Sequence, residues 1–330
     1  VWIMAYTEID DPSAYFQTKL YTAADAYTFD GNSDMQPDFV WIKERNGTNE
    51  HNLFDSVRGT TKRLESSTTA AEQTSSTTLT AFGSDGFTVG NNGGTGQNGG
   101  NYVGWGWKKS ATPGFDIVAF TGNGSARTIS HSLSAVPKMY IVKNRSTGST
   151  QWRVYHASLG ATKHMALDAT QAIGDAASVF NDTEPTSSVF SVGTDDAANK
   201  NGDSLIAYLF ADKQGYSKFG SYIGNGNVDG TFVYTGFKPA FIMTKQTDGT
   251  DWWVINDNKR DPFNASTYGL RPNDSAAESS DEAWTKDLLS NGFKHRTANS
   301  GSNGSGNEYI YMAFAENPFV TSTGVPATAR

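Results

Sequence analysis

Cysteine is absent from the 330 residues, which excludes a disulfide framework, a thiolate nucleophile, zinc–thiolate sites and iron–sulfur clusters. Charge is scarce as well. Asp, Glu, Lys and Arg make up 18% of the chain, against about 25% in an ordinary globular domain. The net charge of −8 is spread without a long like-charge run, so the sequence has no electrostatic footprint for nucleic acid or an anionic membrane. No apolar stretch approaches the roughly 18 residues of a membrane span, and the first residues lack the basic region and apolar core of a signal peptide. The expectation is a soluble chain, not exported through a conventional signal, with neither nucleic acid nor membrane insertion among its partners. Val1-Trp2-Ile3 precede Met4 and read as an upstream extension.

What replaces charge is Ser, Thr, Asn and 34 glycines, alongside 12% aromatic residues. Such filler favours turns and strands over helices. Length alone suggests two domains, but an internal repeat changes that count. Pro37-Asp38-Phe39-Val40-Trp41-Ile42-Lys43 recurs as Pro137-Lys138-Met139-Tyr140-Ile141-Val142-Lys143 and as Pro239-Ala240-Phe241-Ile242-Met243-Thr244-Lys245. Three further landmarks keep the same order in each copy; the last is Tyr102–Trp107, Leu205–Phe210 and Tyr309–Phe314. The resulting division is an N-terminal extension (1–13), three β-sandwich units (14–112, 113–215 and 216–319) and a C-terminal tail (320–330).

Each landmark has the character of a strand, a short apolar run closed by polar turn residues. The period of two places Val103, Trp105 and Trp107 on one face, matched by Ile206, Tyr208, Phe210 and by Ile310, Met312, Phe314. That face is assigned to the core, and the opposite one is expected to be wetter or to meet another layer. The fold class expected is mainly β: three tandem antiparallel β-sandwich units of jelly-roll or lectin-like type with few short helices. A helix is expected only over 276–289, where Ser275 stands as a cap and Trp284 and Leu288 lie four residues apart.

The motifs that suggest chemistry fail their context tests. Gly94-Thr95-Gly96-Gln97-Asn98-Gly99 matches a dinucleotide-binding pattern, but a strand follows it where a helix is required. Gly122-Asn123-Gly124 and Gly224-Asn225-Gly226 read as turns that need positive φ. Asp248-Gly249-Thr250-Asp251 and Asp195-Asp196 lack the remaining ligands of a calcium loop. His51, His131, His156, His164 and His295 show no metal-ligand spacing. Asn-x-Ser/Thr triplets such as Asn46 and Asn264 are expected by composition alone. No catalytic residue, metal site or cofactor is assigned, and the expectation is a protein that is not an enzyme.

Aromatic side chains carry the remaining signal. Aligning Trp252 with Trp152 turns Trp253 outward, which makes it a candidate contact for a sugar ring or a neighbouring subunit. Tyr309 and Tyr311, on the face opposite the assigned core, are further candidates for a surface or glycan contact.

The third unit carries a resemblance. Pro239–Lys245, Asp251-Trp252-Trp253-Val254-Ile255, Asp257-x-x-Arg260, Leu270-x-Pro272-Asn273, Ser290–Lys294 and Tyr309–Phe319 together resemble modules of structural proteins in tailed bacteriophages. The opening Tyr15–Thr22 is similar to the start of such proteins. Unit one departs most: Lys108-Lys109 stand in place of Ala315-Glu316, and Asp257-x-x-Arg260 has no clear counterpart there. The resemblance implies a virion component, a capsid decoration, fibre or tail appendage, acting through repeated assembly contacts with other virion proteins and itself homo-oligomeric. The alternative is a host-glycan-binding adhesin or receptor-binding tail protein, with polysaccharide depolymerase as its enzymatic extreme. Short linkers between the units favour a compact arrangement over independent tumbling.

Overall fold

The computed structural model describes residues 6–328, so the reading of residues 1–3 lies outside the described chain. Strand accounts for 40% of the structure and helix for 6%, arranged as several antiparallel sheets. In the first main sheet, Phe16–Thr22, Asn101–Trp107, Phe39–Glu44, Asn52–Asp55, Lys62–Glu65 and Gln73–Thr74 stand side by side in that order. The second repeats the order with Phe115–Thr121, Ser204–Phe210, Met139–Asn144, Arg153–His156, Lys163–Ala166 and Gly174–Asp175. The third has Ser217–Ile223, Glu308–Pro318, Phe237–Gln246 and Val254–Asp257. A single bridge from Ile255 to Leu270 continues it.

A smaller sheet accompanies each main sheet. In the first repeat it comprises Ala26–Tyr27, Phe87–Val89 and Leu79–Phe82, and in the second Arg127–Ser130 with Val189–Val192. The third uses Phe232–Tyr234, Gly292–His295 and Lys286–Leu289.

Strand periodicity explains how these layers pack. Trp105 and Trp107, Tyr208 and Phe210, and Met312 and Phe314 project from the three main sheets into one apolar cluster shared by all three repeats. Val40, Ile42 and Tyr102 project the other way, into a separate cluster beneath the small sheet of the first repeat. Equivalent outer clusters form around Tyr140 and Leu209 and around Ile242 and Tyr311. The main sheets are therefore covered on both faces, which is why runs such as Phe39–Ile42 are continuously apolar. The face opposite the assigned core meets another layer and not solvent.

Phe314 shows how closely the repeats mesh. Its ring lies 5.4 Å from Phe16, 5.6 Å from Trp107 and 6.0 Å from Phe210, centroid to centroid. The space left at the junction of the three sheets, lined by residues including Trp41, Trp152 and Met312, is about 10 Å³, no more than a single water needs.

Two expectations about local structure have definite outcomes. Gly124 and Gly226 take φ of +68° and +64°, as tight turns require. The helix over 276–289 does not form. Asp281 caps a short 3₁₀ turn at Glu282–Trp284, and Lys286–Leu289 becomes a strand paired with Gly292–His295. Trp284 and Leu288 are four apart, a spacing that suits a strand face as well as a helix face, and the neighbouring strand decides between them.

The shared cluster leads to a test. Unfolding of the whole chain is expected to give one calorimetric transition, and Phe314→Ala to lower its stability by roughly 3–5 kcal/mol. Residues 14–112 alone, with Trp105 and Trp107 uncovered, are expected to lack cooperative unfolding; separate transitions for the repeats would contradict the shared core.

Candidate functional site

Polar side chains close the repeats into a ring. Trp152 donates its indole N–H to the Glu65 and Thr68 carbonyls of the first repeat, at 3.0 and 3.2 Å. One repeat on, Trp253 donates to the Ala166 carbonyl at 2.9 Å. At the third junction the equivalent residue is His51, which accepts the Trp41 indole N–H on Nδ1 at 2.9 Å and faces the Arg271 backbone.

A second ring runs deeper. Asp55 accepts from the Tyr208 hydroxyl at 2.7 Å, and Asp257 accepts from the Trp105 indole at 3.1 Å. His156 takes the equivalent place in the second repeat. Its Nδ1 accepts from the Ser158 amide, which leaves Nε2 protonated and 3.2 Å from the Tyr311 carbonyl. Burial pushes its pKa down to about 4, against a smaller opposing effect from that carbonyl.

A third ring combines backbone and charge. The amides of Glu72, Ile173 and Glu278 donate to the carbonyls of Arg145, Thr247 and Arg45, at 2.9, 2.9 and 2.7 Å. Glu72 also bridges Arg58 and Arg145, and Glu278 bridges Arg260 and Arg45. Arg58 and Arg260 pair in turn with Asp55 and Asp257. Asp55-x-x-Arg58 is thus the counterpart of Asp257-x-x-Arg260 that the sequence comparison did not find. The remaining junction has Leu159, Ile173 and Thr247 at these places, so one of the three networks is largely apolar.

These contacts correct the choice of surface residues. Trp253 is 1% exposed, Tyr309 0% and Tyr311 4%, so none of the three offers a contact to glycan or to another subunit. Trp152 corresponds to Trp253 and not to Trp252, because each immediately precedes its strand, Arg153–His156 or Val254–Asp257. A shift of one residue in the alignment reverses which face a side chain occupies. Tyr309 and Tyr311 face the outer layer of their own repeat, where Tyr309 stacks on Tyr222 at 4.8 Å.

The exposed aromatics of the third repeat lie elsewhere: Phe263 and Tyr268 between its main and small sheets in sequence, and Phe232 and Tyr234 as a pair on the small sheet. Phe232 is 44% exposed and Tyr234 54%, while Val233 between them is buried. Both project from the edge strand. Phe232 lies opposite Lys294 and Tyr234 opposite Gly292, whose missing Cβ would meet the Val233 carbonyl at 2.1 Å. Lys294 pairs with Asp229 at 2.6 Å, and Arg296 reaches both Asp229 and Asp287. The Tyr6 hydroxyl donates to the Gly236 carbonyl and touches the Tyr234 hydroxyl. Corresponding positions are Thr128 and Ser130 in the second repeat and Ala26 and Thr28 in the first. The alternation Phe232-Val233-Tyr234, set against Thr128-Ile129-Ser130, is the sequence signal for this patch.

A cleft of about 340 Å³ between the first and third repeats is lined by Asp11, Gln17, Asn32, Lys259 and Glu316 among others. Its polar groups are largely committed to the protein: Gln17 donates to the Ser13 and Ser33 carbonyls, and Asp11 accepts from both serines. Among the described residues no group of three or more His, Cys, Asp or Glu is placed to hold a metal ion.

A family model described as a domain of unknown function (DUF7483) matches residues 11–318, across all three repeats. No curated protein matches the chain.

The junctions and the buried imidazole each give a prediction. Arg260→Met leaves Asp257 buried without its cation and removes one of the two arginines on Glu278, and is expected to cost about 3–5 kcal/mol in denaturant unfolding. His156 is neutral in the folded chain and titrates near 6.5 when unfolded, so the unfolded state binds the extra proton between these values. Its contribution is complete above pH 6.5 and falls by up to roughly 3 kcal/mol towards pH 4. His156→Gln is expected to flatten that part of the stability–pH curve.

Proposed function

The chain belongs to the DUF7483 family, and from the resemblance of its third repeat to modules of tailed-phage structural proteins we propose that it is a non-enzymatic structural subunit on the surface of a bacteriophage virion. In this reading the three repeats are β-sandwich units of jelly-roll or lectin-like type, fused into one body that attaches to other virion proteins in the capsid or tail. Interlocked repeats suit a load-bearing particle component, because separating any pair would expose part of the common aromatic cluster.

The observation that carries the reading is the one-sided aromatic patch. Three similar faces surround the body, yet only the third repeat replaces Thr128 and Ser130 with Phe232 and Tyr234. Half-exposed rings beside paired Lys294, Arg296, Asp229 and Asp287 resemble the apolar centre and polar rim of a protein contact. One such face gives the body a defined orientation on a partner subunit. The glycan-binding alternative rested on Trp253, Tyr309 and Tyr311, and their burial removes its stated contacts.

Immunogold labelling with antibody against the chain is expected to mark intact particles from infected cells. A Phe232→Ser/Tyr234→Ser chain is expected to fold, with an unchanged thermal midpoint, and to be at least tenfold depleted from purified particles. Unlabelled particles, or full incorporation of the variant, would overturn the proposal. Millimolar glycan binding abolished by the same variant would instead favour an adhesin.

A further inference from the structure

The third repeat differs from the others inside its outer layer as well as on its surface. Lys286, His295 and Ser266 are 0% exposed, and Thr244 and Asn256 are 1% and 0% exposed. The Lys286 ammonium nitrogen, both His295 ring nitrogens, the Ser266 and Thr244 hydroxyls and the Asn256 Oδ1 have no hydrogen-bond partner. Buried polar groups are normally paired, and so many unpaired atoms in one layer call for a missing partner.

Their placement brings them together. Ser266 bridges to Lys286, and Lys286 lies opposite His295, so the three stand in a row across neighbouring strands and project from one face. Thr244 is two residues from Ile242, which packs in the same outer cluster as Leu288 and Phe293, the neighbours of Lys286 and His295 on that face. Asn256 is directly opposite Ile242.

The other repeats show what this layer holds when it is purely structural. By strand register, the places of Thr244, Asn256, Lys286 and His295 are taken by Ile42, Phe54, Leu79 and Val89 in the first repeat, all in one apolar cluster. In the second they are Val142, Tyr155 and Val192, with Phe180 at the end of a helical turn placed like Leu79 and Lys286, because the Gly193 amide donates to the Val179 carbonyl as Gly90 does to Thr78 and Arg296 to Thr285; all four are again clustered. Asn256 is shorter than the aromatic ring at either counterpart, and Thr244 is smaller than Ile42 or Val142, so these two positions fill less of the layer in the third repeat.

The charge of this layer has one sign. Burial alone pushes the Lys286 pKa down to about 7, with no carboxylate to support the ammonium. His295 is lowered by burial first and by Lys286 second, so it stays neutral. Tyr222 lies against the imidazole, with ring centroids 4.8 Å apart and planes tilted by 31°, and adds no charge. A cation and two hydroxyl donors without an anion describe a site for a small negative ligand, whose charge would offset the cost of the buried ammonium.

We propose that the outer layer of the third repeat binds a small monovalent anion of halide size, held by the Lys286 ammonium with the Ser266 and Thr244 hydroxyls as further donors. The bound anion keeps Lys286 protonated, so affinity falls as pH rises through the titration of that amine.

Bromide is a suitable probe. Crystals of the full chain soaked in sodium bromide are expected to show one anomalous peak within hydrogen-bond reach of Lys286 Nζ. In solution, 100 mM sodium bromide in place of sodium gluconate is expected to raise the thermal midpoint by roughly 2–4 °C at pH 6.5 and by less at pH 8.5. Both effects should vanish in Lys286→Met, which restores the apolar character of Leu79 and Phe180; His295→Val, copying Val89 and Val192, serves as a second variant and is expected to retain the peak. Ordered water alone at the site, a peak that survives Lys286→Met, or a peak without any midpoint shift would overturn the proposal.

Discussion

Each main sheet is covered twice, once by its own small sheet and once by the other two main sheets, and the second covering is the constraint on which the rest depends. Trp105, Trp107, Tyr208, Phe210, Met312 and Phe314 cannot all be withdrawn from water by one repeat. They are buried because three sheets present them to each other, so the apolar gain belongs to the assembled body. The shared cluster also explains the size of the repeats. Each needs only enough chain for one outer core, since the inner core is formed jointly.

Polar residues at the junctions are matched across the boundary as well as within a repeat. Where the facing residue is Tyr208 or Trp105, the acceptor is Asp55 or Asp257. Where it is Met312, with no donor, the second repeat supplies His156, whose protonated nitrogen uses the Tyr311 carbonyl instead. A carboxylate at that junction would lack both the arginine and the donor that support it in the other two. The replacement of Arg58 by Leu159 and of Glu72 by Ile173 is consistent, because a buried charge without its partner costs more than an apolar pair. Departures from repeat symmetry therefore occur in sets: a residue changes together with what it touches.

The same logic separates structural from functional departures in the third repeat. Thr244, Asn256, Lys286 and His295 also change as a set, yet the Thr244 hydroxyl, the Asn256 Oδ1, the Lys286 amine and both His295 nitrogens remain unpaired. Phe232 and Tyr234 on the outer side of the same small sheet have no compensating cover either. Both features concentrate in one repeat, which makes it the part of the body whose chemistry is not accounted for by holding the fold together.

Sequence alone determined the strand-rich class, the threefold recurrence and the alternation that separates Trp105 from Tyr102, because these rest on local periodicity and turn chemistry. It also supplied the turn glycines at 124 and 226. Tertiary structure decided what each face met. Trp253 was assigned outward through a one-residue misalignment, and in a strand one residue is the difference between the two sides. The Asp55–Arg58 pair went unrecognised since Tyr208, which donates to Asp55, lies 153 residues away in sequence. The segment 276–289 carried a four-residue spacing compatible with helix or strand, and only pairing with Gly292–His295 settled it. The sequence assigned no role to Lys286 or His295, as burial is a property of the layers above and below a strand and is not written in the strand itself.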